Sequence, residues 1–221
     1  MSPTPAERRT GTGRYHHGDL RAALVDAAVD LIAERGVRDF SLAEVSRRLG
    51  VSVAAPYRHF ADREALLAAV AVRALGIFGE MVTRDAAATA PPAERLAAMA
   101  RDYVRFAAEQ RPLFDTMFAA GIDKTEHPEV HQAEQPIDTA IQSCVRELCP
   151  DDPAAAAALE STLTATAHGF AALLLDGTYG TGPDAVREAS QQAGRAALAI
   201  IEGRAALVDL YTVRSYLVTL C

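Results

Sequence analysis

Apolar residues recur at helical spacing along most of the chain, and no segment shows the strict alternation of a β-strand. The first helical run starts at Leu20 and ends before Gly36, a residue type that often follows the last turn of a helix. The pattern therefore predicts an all-α fold. Further helices are predicted over residues 42–49, 53–60, from the N-cap Asp62 to at least Met81, 92–109, 128–148 with an interruption at Pro136, 154–176 and 183–203. Pro112 opens a short, very apolar segment at 113–118.

A short capped helix followed by a glycine turn forms the most informative segment. Ser41 is a good N-cap, and Glu44, three residues later, completes a capping box. Gly50 supplies the turn, and Ser52 is the N-cap of the next predicted helix. This order predicts a helix-turn-helix unit. The residues at the spacing of its small shared core are Val45, Leu49, Val53, Tyr57 and Phe60.

Two aromatic residues of this unit admit two interpretations. Phe60 and Tyr57 are both spaced as core residues, but a phenol can pack on its ring and still reach a phosphate. We favour a core role for Phe60 and a DNA contact for Tyr57. Arg47 and Arg48, on the preceding helix, are more readily explained as a solvated supporting face.

The charge is distributed unevenly. The net charge is −7, but residues 1–75 contain 11 Arg against 9 acidic residues, whereas the remainder is strongly acidic. An acidic protein can therefore still carry a basic surface for nucleic acid near its N-terminus.

Composition excludes several protein classes. Three Cys in 221 residues do not make a disulfide scaffold. The first residues lack the apolar region of a secretory signal, and no uninterrupted apolar stretch approaches the roughly 20 residues of a membrane span. We therefore expect a cytoplasmic protein without a membrane partner.

Residues 14–81 closely resemble the DNA-binding domain of the TetR/AcrR family of transcriptional regulators. The stretches that carry this resemblance are RYHHGDLR at 14–21, FSLAEVSRRLGVS at 40–52 and AAPYRHFADREALL at 54–67. The resemblance implies a three-helix helix-turn-helix domain followed by a helical ligand-binding and dimerisation domain. It also implies a set of DNA contacts: Arg14, Tyr15 and His16 in an N-terminal arm, then Ser41, Ser52, Ala55, Tyr57, Arg58, His59 and Arg63.

The family resemblance also implies a mechanism. Members form homodimers through their last two long helices, here about 154–176 and 183–203, and bind a near-palindromic DNA operator. A small-molecule effector in the C-terminal domain moves the helix that starts at Asp62 and releases the DNA. The resemblance thus predicts a ligand-responsive regulator, most often a repressor.

The C-terminal half carries a second, weaker resemblance. Residues 165–177 are similar to the His-Gly motif of one regulator subfamily, which usually has a Trp where this chain has Thr164. The smaller residue could enlarge a ligand cavity. His168 in this motif is either a satisfied core histidine or a polar anchor for ligand, and both interpretations stay open.

A ligand cavity needs an apolar lining with a few polar groups. Aromatic and Met residues cluster where several helices should converge, although the same spacing also fits plain core. The predicted ligand-pocket residues are Tyr103, Phe106, Phe114, Met117, Phe118, Thr164 and His168.

No cofactor, metal site or catalytic set is predicted. His127 and His131 are four residues apart, as some metal ligands are, but they lack further ligands at suitable spacing. No Ser-His-Asp order or paired catalytic carboxylates can be argued, so we expect that the chain is not an enzyme.

The predicted organisation has four parts. Residues 1–13 form a disordered arm, 14–62 the DNA-binding domain and 63–204 the ligand-binding and dimerisation domain, while 205–221 form an apolar tail of uncertain status. Two alternatives remain. One is an enzyme or carrier that uses the helix-turn-helix unit only as scaffold, and the other is a DNA-binding protein without a ligand.

Overall fold

The computed structural model describes residues 20–119 and 121–207, and within these ranges it contains helices and no strand. The predicted all-α fold is thereby confirmed. The arm with Arg14, Tyr15 and His16 lies outside the described residues, as do residues 208–221 of the tail. The α-helices are α1 (Leu20–Arg35), α2 (Leu42–Leu49), α3 (Arg63–Ala86), α4 (Pro92–Glu109), α5 (Arg111–Ala119), α6 (Pro128–Leu148), α7 (Pro153–Leu175) and α8 (Pro183–Glu202).

The predicted caps around α2 are present. The Ser41 hydroxyl accepts a hydrogen bond from the Glu44 N–H at 3.3 Å, and the Ser41 N–H donates to Glu44 Oε2 at 2.9 Å. Gly50 ends the helix with φ +67°, in the left-handed region that favours glycine. Asp62 caps α3 by accepting from the Ala65 N–H at 2.8 Å.

The helix predicted over residues 53–60 is wrong in length and type. The segment forms a turn and then a single 3-10 turn, Pro56–Arg58. Pro56 has no N–H to donate, and the Arg58 and His59 N–H groups bond three residues back, to Ala55 and Pro56. Val53 and Tyr57 are 55% and 56% exposed, so they do not join the shared core, whereas Phe60 does.

The interruption predicted at Pro136 is also absent. α6 continues through this residue, because its long packing contact with α3 compensates for one missing backbone hydrogen bond. The two helices pack closely at Gly79, where a Cβ atom would lie 3.4 Å from Ile137 Cγ1.

α3 also corrects the expectation that no segment could match a membrane span. Within residues 20–119 and 121–207 it is the one helix long and apolar enough to cross a membrane by length and composition. Arg73 and Glu80 break its apolar run, which is why reading for an uninterrupted stretch missed it. Its most apolar 18-residue window is 61% buried inside the protein, as in the core helix of a globular domain.

The capping box makes a stability prediction. Ser41→Ala removes the side-chain acceptor for the Glu44 N–H and is expected to lower the free energy of unfolding by about 1 kcal/mol. Urea denaturation of the full chain measures the change. Ser52→Ala, at an exposed residue outside any helix, is the matched control and should leave stability within about 0.5 kcal/mol of the parent. Equal effects of the two variants would contradict the capping role.

Candidate DNA-binding surface and ligand cavity

Several predicted DNA-contact residues are exposed in the segment after α2. Ser52, Tyr57, Arg58 and His59 are exposed, and Ala55 between them is half-buried. They stand on the turn and the 3-10 helix, while Phe60 anchors the segment to the core and lies beneath the Arg21 guanidinium, 5.1 Å from the ring centroid. A cation, a phenol and an imidazole exposed on one short segment are groups that bind phosphates and base edges.

Arg63 has a different environment from these residues. Its Nε donates to the Phe40 carbonyl at 3.0 Å and its Nη2 donates to the Val37 carbonyl. Its guanidinium also stacks over the Phe40 ring, 4.7 Å from the centroid. The side chain therefore ties the first turn of α3 to the α1–α2 connection, and its contact with DNA stays a prediction.

The two arginines of α2 are likewise engaged within the protein. Arg48 Nη2 lies 2.5 Å from Glu34 Oε2 on α1, and Arg47 Nε donates to the Ala43 carbonyl at 3.3 Å. These contacts agree with the supporting role favoured for both residues. Ser41, whose hydroxyl serves the capping box, is exposed beside them.

A cavity of about 740 Å³ lies among α3, α4, α5, α6 and α7. Five of the seven predicted pocket residues line it, namely Tyr103, Met117, Phe118, Thr164 and His168. Phe106 and Phe114 do not line it and are 2% and 5% exposed. They are core residues behind the lining: Phe106 packs on Phe78, and Phe114 packs on Tyr103 and His168.

Tyr103 and His168 form a polar pair at the wall of this cavity. The Tyr103 hydroxyl lies 2.8 Å from His168 Nδ1, joining α4 to α7. Burial raises the pKa of the Tyr103 phenol above its ordinary value, so the hydroxyl stays protonated and can donate to the imidazole. His168 is thus both hydrogen-bonded and part of the lining, and its role as a polar anchor for ligand stays a prediction.

Three acidic residues of the lining were not predicted from the sequence. Glu134 and Asp138 on α6 and Glu160 on α7 also border the cavity. A signal was available, because Glu134 and Asp138 are four residues apart and so share one face of a helix. The missed apolar lining includes Leu75, Phe78, Val82, Met99, Ile137 and Ile141.

Two family models match the chain. The model of bacterial regulatory proteins of the tetR family matches residues 24–70, and a tetracyclin repressor-like C-terminal domain matches residues 96–198. Together they cover Ser41 to Arg63 of the candidate DNA surface and the part of the cavity lining that lies on α4, α5, α6 and α7. The chain belongs to the TetR family of bacterial transcriptional regulators.

Individual relatives of this TetR-family chain cover different shares of it. It is 37% identical over 90 residues to the HTH-type transcriptional regulator BetI of Rhizobium meliloti (strain 1021), a match over 41% of this chain and 43% of that protein. BetI of Brucella anthropi is 32% identical over 90 residues, covering 41% of this chain and 45% of the relative. The matches thus span less than half the length of either curated relative.

Solved structures match over a greater length. A protein of unknown function from Rhodococcus sp. RHA1 is 31% identical, with a TM-score of 0.65 over 83% of this chain and 98% of that one. FadR of Bacillus subtilis, solved in complex with stearoyl-CoA, is 16% identical with a TM-score of 0.64, over 81% of this chain and 96% of FadR. The second likeness establishes the shared fold alone.

His127 and His131, the two histidines considered as metal ligands, each lie near a carboxylate of α6. Within residues 20–119 and 121–207, no three His, Cys, Asp or Glu side chains converge in an arrangement that could hold a metal ion. His127 instead faces Glu129, with Nδ1 3.3 Å from Oε1.

The buried phenol predicts a pH dependence. Because burial raises the pKa of Tyr103, the folded protein keeps this proton to higher pH than the unfolded chain does. Its contribution therefore lowers the free energy of unfolding as pH rises above about 10. Ultraviolet titration should show a late tyrosinate step whose amplitude Tyr103→Phe reduces. Burial also raises the pKa of Tyr179, so part of the late step remains in this variant. Tyr57→Phe, at an exposed tyrosine, should leave the late step unchanged. A late step of undiminished amplitude in Tyr103→Phe would refute the assignment.

Proposed function

We propose that this TetR-family protein is a ligand-responsive transcriptional regulator, a repressor that binds a near-palindromic operator as a homodimer and is released by a small-molecule effector. The observation that carries the proposal is the continuity of α3. Its first half packs in the helix-turn-helix core through Leu66, Leu67 and Val70, and its second half lines the cavity through Leu75, Phe78 and Val82.

The DNA-contact assignment rests on exposure and chemistry. Tyr57, Arg58 and His59 project from a short segment held in place by buried Phe60. We assign DNA contact to them and to Ser52, with flanking contacts from Ser41, Ala55, Arg63 and the arm residues Arg14, Tyr15 and His16. A dimer would bring two such surfaces to successive major grooves, about 34–36 Å apart.

The dimer assignment rests on the surface of α7. Residues 161–175 contain no charged side chain, although much of this stretch is exposed or half-buried in the single chain. Leu173 is 45% exposed, and Phe170 packs only partly, against Tyr179. An apolar helix face of this kind is typical of helix–helix association. We therefore assign the dimer interface to α7 and α8.

Coupling between the sites follows from contacts at the two ends of α3. At its start, Arg63 fastens the helix to the α1–α2 connection. Near its end, Arg84 Nη2 lies 2.5 Å from Oδ2 of Asp102, a carboxylate of α4 that is 2% exposed on its side chain. A ligand that displaces α3 against α4 would tilt the helix-turn-helix domain. Effector and operator would then oppose each other's binding, typically by about 1–3 kcal/mol.

We further infer the division into a DNA-binding domain at 14–62 and an effector domain at 63–204, a cytoplasmic location and the absence of catalytic activity. The family supports each of these. FadR, which shares this fold, was solved in complex with stearoyl-CoA, and this supports a small molecule as the effector.

DNA binding provides the first test. The full chain is titrated with DNA flanking its own gene, and fluorescence anisotropy is measured over a range of salt concentrations. We expect sequence-selective binding that weakens steeply with salt, because phosphate contacts release counterions. Arg58→Ala should weaken DNA binding by about 1–3 kcal/mol.

The control for this variant is Arg146→Ala, which removes an exposed arginine on α6, away from the proposed DNA surface. It should leave the affinity for DNA unchanged. Binding no tighter than to random DNA, at that site and at symmetric sites selected from a random pool, would reject the regulator and favour a carrier or enzyme.

The dimer makes a separate prediction. Leu173→Asp places a charge on the apolar face of α7 and is expected to shift sedimentation from dimer to monomer at micromolar concentration. Operator affinity should fall with it, since both half-sites must be bound together. Thr139→Asp, at an exposed position of α6, adds the same charge elsewhere and should preserve the dimer. A Leu173→Asp variant that still sediments as a dimer would move the interface away from α7.

A further inference from the structure

We propose that the effector is a lipophilic cation, an apolar or aromatic body carrying a positive charge, and that Asp138 and Glu160 recognise this charge. The inference rests on the proposed function and specifies the chemical class of its ligand. The cavity itself defines the site, and its volume of about 740 Å³ suits a small organic molecule.

The charge of the lining is of one sign. Three carboxylates border the cavity, and no Arg or Lys does so among the residues that the structure describes. They lie on two neighbouring helices, with Glu134 and Asp138 one turn apart on α6 and Glu160 on α7. Asp138 is near enough to Glu160 to act on it electrostatically. An anionic ligand would meet these charges with no lining cation to offset them.

Only one of the three carboxylates has a salt-bridge partner in the described part of the chain. Lys124 Nζ lies 2.5 Å from Glu134 Oε1, and His131 is also close to Glu134. Asp138 and Glu160 have no basic nitrogen within 4.0 Å there, although Arg146 acts on Glu160 from a greater distance. A positive charge between α6 and α7 would therefore find two carboxylates still available.

The environment of Glu160 disfavours the charged form of its carboxyl group. Burial raises the pKa of its carboxyl, a hydrogen bond with Gln142 opposes the rise, and the charge of Asp138 adds to it. Like charges held close together destabilise each other, and a bound cation would relieve that repulsion. The folded protein thus carries an unfavourable interaction that a ligand of the opposite charge removes.

The rest of the lining suits the body of such a ligand. Apolar side chains of α3, α4 and α6 form most of the wall. Phe78, Tyr103 and Phe118 add aromatic rings, whose faces attract cations. Phe118 is 51% exposed, so it offers a large apolar surface for a ligand to cover.

The test uses two probes of nearly the same shape and opposite charge, tetraphenylphosphonium and tetraphenylborate. Calorimetric titration of the full chain should show binding of the cation and at least tenfold weaker binding of the anion, since only the cation complements the carboxylates. A fluorescence measurement of competition between the two probes, in the same buffer, gives a second measure of their relative affinities.

Amide variants then localise the charge recognition. Asp138→Asn and Glu160→Gln should each weaken tetraphenylphosphonium binding about tenfold, by removing one charge at nearly constant volume. Glu109→Gln, at the exposed end of α4 outside the lining, is the matched control and should have no effect. Thermal unfolding of each variant verifies that it remains folded.

Each outcome decides the inference. Selective cation binding that both amide variants weaken supports it. Equal or tighter binding of tetraphenylborate, no binding of either probe, or affinity unchanged by both amide variants would overturn it.

Operator binding without a probe is measured separately. Intact operator binding combined with failure of the probes would reject the cationic effector alone. Loss of operator binding would reject the proposed regulator function. The probe results would then still decide whether the cavity binds a cation.

Discussion

The burial of one face of α3 in both domains is the constraint on which the rest of the structure depends. Leu66 and Val70 are fully buried against the helix-turn-helix core, and Val82, three turns later, is fully buried within the effector domain. Removing one such side chain typically costs about 2–5 kcal/mol, whereas an exposed ion pair contributes about 0–1 kcal/mol. Apolar packing, rather than the Arg73–Asp26 ion pair between α3 and α1, therefore fixes α3 in both domains.

The same packing explains why a ligand cavity can persist beside this helix. α3 meets α6 closely at Gly79, because the missing side chain there lets Ile137 approach. Beside this contact, Phe78 and Ile137 both border the cavity. One side of α3 is thus fixed by close packing, and the other borders space that a ligand can fill. A ligand in that space would push against α3, a helix that also packs in the core of the DNA-binding domain.

Local chemistry made most of the fold predictable. Ser41, Gly50 and Asp62 specify their turns through bonds to nearby backbone atoms, so their caps could be predicted from spacing alone. The two wrong helix predictions lie where tertiary packing, rather than local sequence, determines the secondary structure. Contact with α3 carries α6 through Pro136, whereas the segment before Phe60 has too few buried residues to extend its single 3-10 turn.

The candidate sites were predictable to different degrees. Tyr103 and His168 were each predicted to line a ligand pocket, but only the folded chain pairs the phenol with the imidazole at 2.8 Å. Phe106 and Phe114 have the same chemistry and spacing as the true lining, yet they face the core. The direction of a side chain depends on how neighbouring helices are rotated, which hydrophobic spacing does not specify. The carboxylates of α6 and α7 were missed for a similar reason, since an acidic residue on a helix is normally a solvated one.

The positions of the polar groups bear on how a ligand could act. The cavity is bounded by α3, which carries the helix-turn-helix domain, and by α7, which we assign to the dimer. A ligand can shift a conformational equilibrium only by the difference in its affinity for the two states. Asp138 and Glu160 lie on α6 and α7, whereas the apolar wall includes side chains of α3. A ligand that spans the cavity would therefore place its charge near α6 and α7 and its apolar body against α3. Any motion of α3 relative to α7 changes that span. The binding free energy would then differ between DNA-competent and released states, as the coupling requires.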